Sequence, residues 1–183
     1  MIRTFIALPI PDDIKDSLQS AILQLKGKNH GVRWVKPEGL HITLKFLGDI
    51  HEDLSGTLSV ELDRAAHDHQ ALKLSLSSCG AFPNVKRPRV VWAGLTGDME
   101  ELSGLAASTE KACARCGIPE EKRAFSGHIT LGRLKAPTMV DLAIGSLAGI
   151  FNVSEVLLYQ SELLPGGARY TVLHRSSLGG KGG

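Results

Sequence analysis

The chain has 183 residues, of which 43% are hydrophobic and 22% charged, a balance typical of a globular protein with a core of its own. Its net charge of +2 is too small to indicate nucleic-acid binding through overall charge, so such binding would depend on local basic groups. No run of about 18 apolar residues suggests a membrane span, residues 1–13 do not read as a signal peptide, and three cysteines do not suggest a secreted disulfide framework. We therefore expect a cytoplasmic protein without a membrane segment, and a monomer, because no long unpaired apolar element is evident.

Hydrophobic patterns in the first half of the chain predict alternating strands and helices. Strands are expected where apolar and β-branched residues cluster or alternate, and helices where apolar residues recur every three or four positions. The predicted strands cover 2–8, 32–35, 41–48, 71–78 and 90–95. The predicted helices run from Pro11 to Gly27 and over 51–69. Residues 79–89, rich in glycine, proline and basic side chains, are expected to form a loop.

The second half of the chain repeats this plan. Helices are predicted over 98–117 and, shorter, over 138–149, and strands over 127–134, 151–163 and 168–175, with a hairpin at Leu-Pro-Gly-Gly between the last two. Two β/α halves indicate an α+β protein with internal pseudo-symmetry and a cleft between the halves. We expect one domain over 1–178 and a flexible tail over 179–183.

The tetrapeptide His-Ile-Thr-Leu occurs twice, at 41–44 and again at 128–131. Chance recurrence of a given tetrapeptide in so short a chain is on the order of one in a thousand. Because side chains alternate between the faces of a strand, the His and Thr of each copy point to one face, and the Ile and Leu point to the other. A single His-x-Thr is most often an ordinary half-buried strand, but two copies in equivalent positions can meet across a cleft.

Two imidazoles and two hydroxyls around one point suit the cleavage of a phosphodiester. With an unperturbed pKa of about 6.5, one histidine can take a proton from the nucleophile while the other donates a proton to the leaving oxygen. Threonine hydroxyls can donate to the non-bridging oxygens, where negative charge develops. A metal site is the rival use of paired histidines, but neither motif adds Asp, Glu or Cys on its His face, so we expect no metal and no cofactor.

At these residues the chain resembles a known family. Besides the two motifs, the segments RTFIALPIP at 3–11, RVVWAGL at 89–95 and LYQSELLPGGARYTVL at 158–173 carry the resemblance, which covers nearly the whole chain. The family is that of the bacterial and archaeal RNA 2′,3′-cyclic phosphodiesterases, also called 2′-5′ RNA ligases, in the two-histidine (2H) phosphoesterase superfamily. The resemblance implies a bilobal, pseudo-symmetric α+β fold whose two β/α lobes turn antiparallel sheets towards a basic central cleft.

The resemblance also implies an activity and a role for each site residue. The activity is metal-independent hydrolysis of RNA ends bearing a 2′,3′-cyclic phosphate, which include tRNA-like fragments, to 2′-phosphomonoesters. His41 would donate a proton to the leaving 3′ oxygen, and His128 would accept one from water. Thr43 and Thr130 would hold the phosphate, with Arg133 as a further phosphate contact. Two alternatives stay open: ligation of RNA halves through a 2′-5′ bond, and binding of RNA ends without turnover.

The orientation of two side chains near the motifs depends on whether a β-bulge is present, and a third position departs from the family pattern. Arg133 lies on the opposite strand parity from Thr130 unless a bulge at Gly132 redirects it, and a surface salt bridge is an alternative to the phosphate contact. Phe46 would share the face of its motif only through a bulge, so we expect it in the core. The family often has proline before the second motif, where this chain has Gly127, which loosens the backbone without removing a chemical group.

The remaining candidates carry weaker signals. A basic group in the 79–89 loop could contact an RNA backbone, although such clusters are usually solvated turns; it comprises Lys86, Arg87 and Arg89. Three aromatic residues are core or cleft-wall candidates, namely Trp34, Trp92 and Phe125. Cys113 and Cys116 have Cys-x-x-Cys spacing but no second pair, which argues against a zinc site. No function is assigned to the other histidines, which are His30, His51, His67, His69 and His174.

Overall fold

The computed structural model describes residues 1–179, which form three helices and nine strands. The helices are α1 (Asp12–Lys26), α2 (Leu54–His67) and α3 (Met99–Arg115). The strands are β1 (Ile2–Pro9), β2 (Val32–Trp34), β3 (His41–Ile50), β4 (Leu72–Phe82), β5 (Val90–Gly97), β6 (His128–Leu134), β7 (Ile150–Val153), β8 (Glu155–Leu164) and β9 (Gly167–Ser177). Of the tail expected over 179–183, Gly179 donates its N–H to the His69 carbonyl (2.6 Å), and residues 180–183 lie outside the described residues.

The strands pair antiparallel in the order β7-β4-β5-β6-β3-β1-β8-β9, and β2 pairs with β6. One lobe consists of β4, β5, β6 and β7, with β2 added alongside β6. The other lobe consists of β1, β3, β8 and β9. Within residues 1–179 the lobes are joined by a single registered pair, Ile42 with Ile129, so β3 and β6 diverge on either side of it. The predicted α+β fold with antiparallel strands in two lobes is confirmed, and the structure adds that both lobes belong to one curled sheet.

The helices bury the apolar face that their spacing predicts. In α1 the residues Ile14, Leu18 and Ile22 are buried, while Asp12 and Asp13 lie in its first turn, where the helix dipole favours negative charge. The middle helix packs on the third helix and on β9, and the third helix also reaches β3. Each fully buried leucine contributes about 1.5–3 kcal/mol to folding, so these faces attach the helices to the sheet. None of the helices within residues 1–179 has the length and apolar composition required to cross a bilayer.

Two sequence predictions of secondary structure are wrong. The loop expected from residue 79 starts later, because β4 continues from Cys79 to Phe82 in register with Ala93 to Val90 of β5. The helix expected over 138–149 does not form. There the Asn29 side chain donates to the Asp141 carbonyl (2.8 Å) and accepts from the Asp141 N–H (2.8 Å), so backbone groups that a helix would pair internally are paired with a side chain.

The C-terminal strands follow the predicted pattern with one division. The strand expected over 151–163 is two strands separated by Ser154, because β7 pairs with β4 of one lobe and β8 pairs with β1 of the other. The predicted hairpin is confirmed: Leu164 and Gly167 pair across a two-residue turn, Pro165-Gly166. The chain therefore crosses from one lobe to the other at Ser154.

Candidate active site

The two repeated motifs lie side by side at the junction of the lobes. In each copy the His and Thr are half-buried and the Ile and Leu are buried, as strand alternation predicts. Because β3 and β6 run antiparallel with Ile42 opposite Ile129, His41 lies across from Thr130 and Thr43 lies across from His128. The structure thus brings all four predicted motif side chains to one face, each histidine beside the threonine of the other copy.

Each motif ends in a β-bulge that changes the strand parity. The pairing of β1 with β3 passes from Thr43 directly to Lys45, and the pairing of β5 with β6 passes from Thr130 directly to Gly132. The extra residue in each strand is the motif leucine. Two buried residues in a row then follow each threonine, and the next residue emerges on the His face.

The bulges decide the orientation of Phe46 and Arg133, which occupy equivalent places in the two copies. The expectation that Phe46 lies in the core is wrong, because the bulge turns it outward and leaves it 61% exposed. The redirection considered for Arg133 does occur, and its side chain lies on the face of Thr130. The bulge that turns Phe46 outward turns Lys45 inward. The Lys45 Nζ donates to Glu110 Oε2 (2.5 Å) and to the Pro119 carbonyl (2.8 Å).

His41 is enclosed by aromatic rings. Phe5 lies 4.8 Å from it between ring centroids, Tyr170 meets it edge-on at 5.6 Å, and Tyr159 lies at 6.4 Å. The pKa of His41 is lowered to about 4, mainly by burial and also by the positive charges of Arg133 and His128, against a hydrogen bond to the Gly39 backbone that raises it. The free protein therefore holds His41 neutral at pH 7.

His128 is less buried than His41, and a hydrogen bond determines which of its ring nitrogens carries the proton. Its Nδ1 lies 2.7 Å from the Ser126 carbonyl, and Phe82 meets the ring edge-on at 5.1 Å. A carbonyl oxygen accepts only, so Nδ1 carries the proton and Nε2 is the titrating nitrogen. Burial, followed by the charge of Arg133, lowers the pKa of His128, while the Ser126 hydrogen bond raises it. Each motif histidine is thus held by the backbone two residues before it.

Two cavities open on the motif face. The first, of about 900 Å³, lies towards α3 and includes Thr43, His128 and Phe125. The second, of about 910 Å³, lies towards β2 and the β8–β9 hairpin and includes His41. Both cavities include Phe46, Thr130 and Arg133, so one continuous cleft passes over the motif strands.

The basic loop is divided between the cleft and the surface. Arg89 lines the first cavity and donates its Nη1 to the Lys135 carbonyl (2.5 Å). Lys86 and Arg87 line neither cavity, and their backbone N–H groups both donate to Asn84 Oδ1 (3.0 Å each). Contact between this loop and RNA stays a prediction.

The aromatic candidates and Gly127 fall into different surroundings. Phe125 lines the first cavity, Trp92 packs against Phe82 at 5.1 Å, and Trp34 pairs across β2 and β6 with Gly132. At Gly127 a side chain would come within 2.8 Å of Leu102 Cδ2, so the absence of a Cβ lets α3 lie close to the entry of the second motif.

The cysteines stand apart from the cleft. Cys79, Cys113 and Cys116 carry free thiols. Burial raises the pKa of Cys113 to about 12, which keeps this thiol protonated. Within residues 1–179 no three side chains among His, Cys, Asp and Glu are grouped closely enough to hold a metal ion.

Sequence reasoning missed several residues of the cleft. Phe5, Tyr159 and Tyr170 around His41 come from three different strands, and Phe82 beside His128 falls where a loop was expected. Arg33 was also missed, although it lines the second cavity. Strand alternation could have predicted the face of the strand on which each of these side chains lies. The spacing of residues along the chain does not indicate which strands become neighbours in the sheet.

Comparison with known proteins agrees with this geometry. The family model described as LigT like Phosphoesterase matches residues 8–92 and 96–170. A protein of Methanothermobacter thermautotrophicus named RNA 2′,3′-cyclic phosphodiesterase is 34% identical over 93% of this chain and 95% of its own length, and one of the same name from Archaeoglobus fulgidus is 35% identical over 92% and 96%. A crystal structure of a Thermus thermophilus protein superposes with a TM-score of 0.86, at 30% identity, over 98% of this chain and 100% of that one. The chain therefore belongs to the LigT-like phosphoesterase family, as the repeated motifs predict.

Proposed function

We propose that this protein hydrolyses RNA ends bearing a 2′,3′-cyclic phosphate to 2′-phosphomonoesters, with His41 and His128 as general acid and base and no metal ion. The observation that carries the proposal is the register of β3 and β6, which sets each motif histidine beside the threonine of the other motif in one cleft. The names of the two relatives, RNA 2′,3′-cyclic phosphodiesterase, support the substrate class.

The proposed reaction is an in-line attack of water on phosphorus. His128 accepts the proton of the attacking water at Nε2, while its Nδ1–H stays on the Ser126 carbonyl. As the bond from phosphorus to the 3′ oxygen breaks, His41 donates its proton to that oxygen. The products are a free 3′-hydroxyl and a 2′-phosphate, and the two histidines recover their starting states by exchanging protons with solvent.

The phosphate itself is held by hydroxyl and guanidinium groups. Thr43 and Thr130 flank the histidines on the same face, so their hydroxyls can donate to the non-bridging oxygens as negative charge develops there. The Arg133 guanidinium is assigned to the same phosphate, and its position beside Thr130 in the lining of both cavities supports this role.

The assigned roles require His41 to be protonated when it acts. In the free protein its pKa of about 4 opposes this, because burial and two positive neighbours disfavour the imidazolium. A bound phosphodiester places a negative charge beside the ring and reverses the balance. Substrate binding is therefore the step at which His41 becomes protonated and able to act as an acid. In the free enzyme the His41 imidazole is neutral.

The proposed test is turnover of a short RNA ending in a 2′,3′-cyclic phosphate, with EDTA present. Wild type should yield the 2′-phosphate, and His41→Ala and His128→Ala should each lower turnover by roughly a hundredfold or more. Activity abolished by EDTA and restored by a divalent metal would refute the metal-independent mechanism. A 3′-phosphate product would refute the placement of His41 at the 3′ oxygen.

The same assay separates the two alternatives. Joining of a cyclic-phosphate end to an added RNA 5′-hydroxyl, seen as a 2′-5′ linked product, would reveal ligation, in which the 5′-hydroxyl replaces water as the nucleophile and the 3′ oxygen again leaves. Saturated binding of the RNA end without product would indicate an end-binding module instead. Retained RNA binding in the histidine variants, together with lost turnover, supports catalysis.

A further inference from the structure

Two arginines face each other across neighbouring strands at the edge of the cleft. Arg33 of β2 pairs directly with Arg133 of β6 in antiparallel register, so the two side chains point to the same face. Directly opposed residues have Cβ atoms about 4.5–5.5 Å apart, and like charges at that spacing are destabilising. Both side chains are exposed and line the second cavity.

Within residues 1–179 this charge has no partner. Among the described residues, neither Arg33 nor Arg133 forms an ion pair or a side-chain hydrogen bond, although other exposed arginines such as Arg169 and Arg175 have carboxylate partners. Glu38 lines the same cavity but lies beyond ion-pair distance of both. Two neighbouring arginines without carboxylate partners, each with five guanidinium N–H donors, are suited to bind an anion.

The packing of β2 is what brings Arg33 to this place. Trp34 pairs with Gly132, and a Cβ at that glycine would lie 2.5 Å from Val32 Cγ1 and 2.9 Å from Trp34 Cε3. The missing side chain therefore allows β2 to take the edge of β6 where β3 has diverged. Arg33 is held on a strand of the sheet, not on a mobile loop.

Arg33 lies further from the centre of the cleft than Arg133 does. Arg133 follows Thr130 on β6 and lines both cavities, whereas Arg33 is on the outer strand β2 and lines the second cavity alone. The second cavity continues from His41 past Arg33, and its other cationic side chains are Arg3, Lys36 and Arg169, the last paired with Glu162. The first cavity is lined by as many lysine and arginine side chains as the second, five in each, but by three carboxylates, those of Glu110, Glu120 and Glu121, where the second has only Glu38. Its formal charge is therefore +2 (5 − 3) against +4 (5 − 1), which makes the first cavity the less favourable path for a polyanion.

We propose that Arg33 binds the internucleotide phosphate on the 5′ side of the terminal nucleotide, beside Arg133 on the cyclic phosphate, so that the preferred substrate is an oligoribonucleotide and not a mononucleotide. This inference rests on the proposed function. A strand that ends in a 2′,3′-cyclic phosphate extends only in the 5′ direction, so its next phosphate must leave the reaction centre along one side of the cleft. The second cavity lies on one such side of the cleft, and the guanidinium of Arg33 lines it.

The test compares three substrates with the same reactive end. These are adenosine 2′,3′-cyclic phosphate, the ApA dinucleotide ending in that cyclic phosphate, and the same dinucleotide with an uncharged methylphosphonate linkage. In wild type, kcat/KM for the charged dinucleotide should exceed that for both others. Arg33→Gln should lower the ratio of kcat/KM for charged over uncharged dinucleotide by roughly 10- to 100-fold, the effect of one lost hydrogen-bonded charge pair.

Arg64→Gln is the matched control, because Arg64 is an exposed arginine on α2 that lines neither cavity, and it should leave the ratio unchanged. An unaltered ratio in Arg33→Gln, or a wild type that treats the charged and uncharged linkages alike, would overturn the inference while leaving the proposed function in place. A wild type that hydrolyses none of the three substrates would refute the proposed function and the inference with it.

Discussion

Anion binding in the cleft should control the protonation of His41. The pKa of about 4 in the free protein means that about one molecule in a thousand carries the His41 proton at pH 7. A unit negative charge about 4 Å from the ring, at an effective dielectric constant of about 20, stabilises the imidazolium by about 4 kcal/mol, or about 3 pKa units. The pKa of His41 in the anion complex should therefore be near 7.

Sulfate tests this because its charge is constant over the whole pH range of interest. Since the complex binds the His41 proton more tightly than the free protein, sulfate affinity should rise as pH falls from about 7 towards 4 and level off below that. One unit of negative charge corresponds to an increase of about a thousandfold, the same 3 pKa units expressed as binding, and the second charge of sulfate adds to it. Calorimetric titrations at several pH values measure the affinity, and imidazole NMR resonances report the two pKa values directly.

His41→Asn should lose most of this pH dependence, and His128→Asn should retain the part that belongs to His41. A free His41 that titrates at or above 6.5 would contradict the burial argument. Sulfate affinity that follows pH equally in wild type and His41→Asn would show that another group takes up the proton, and the reasoning about His41 would fail.

Four further outcomes follow from the same contacts. Because the pKa of each motif histidine is lowered in the free enzyme, kcat/KM should be bell-shaped with its alkaline limb below pH 6.5, and the profile of kcat should lie at higher pH, as rate measurements across pH would show. Arg33→Gln should raise the free energy of unfolding by about 0.2–1 kcal/mol in urea titrations, since it removes a like-charge pair; a loss of stability would contradict this. Gly132→Ala should cost about 1–3 kcal/mol in the same assay, because its Cβ meets Val32 and Trp34. Phe46→Ala should cost less than about 1 kcal/mol, whereas Phe5→Ala, at a position only 3% exposed, should cost about 3–5 kcal/mol; equal losses would place Phe46 in the core after all.

Local periodicity was sufficient for most of the elements and for the motif face. The period of two along a strand puts His41 and Thr43 on one face whatever the strand pairs with, and the same holds for the second copy. The helices were predicted because their apolar residues recur at a spacing that only a helix turns to one side. Residues 138–149 show the limit, since Asn29, more than a hundred positions earlier, supplies the hydrogen bonds that a helix there would have made for itself.

The sequence by itself therefore determined which side chains each motif presents, because that depends on neighbours one or two residues away. Tertiary structure alone decided which residues join them. The bulges at Leu44 and Leu131 exist only through pairing with β1 and β5, and they bring Phe46 and Arg133 onto the motif face. Arg33 meets Arg133 because β2 pairs with β6, one hundred positions later in the chain. Such pairing is selected by burial and hydrogen bonding over the whole sheet, and no short stretch of sequence contains that information.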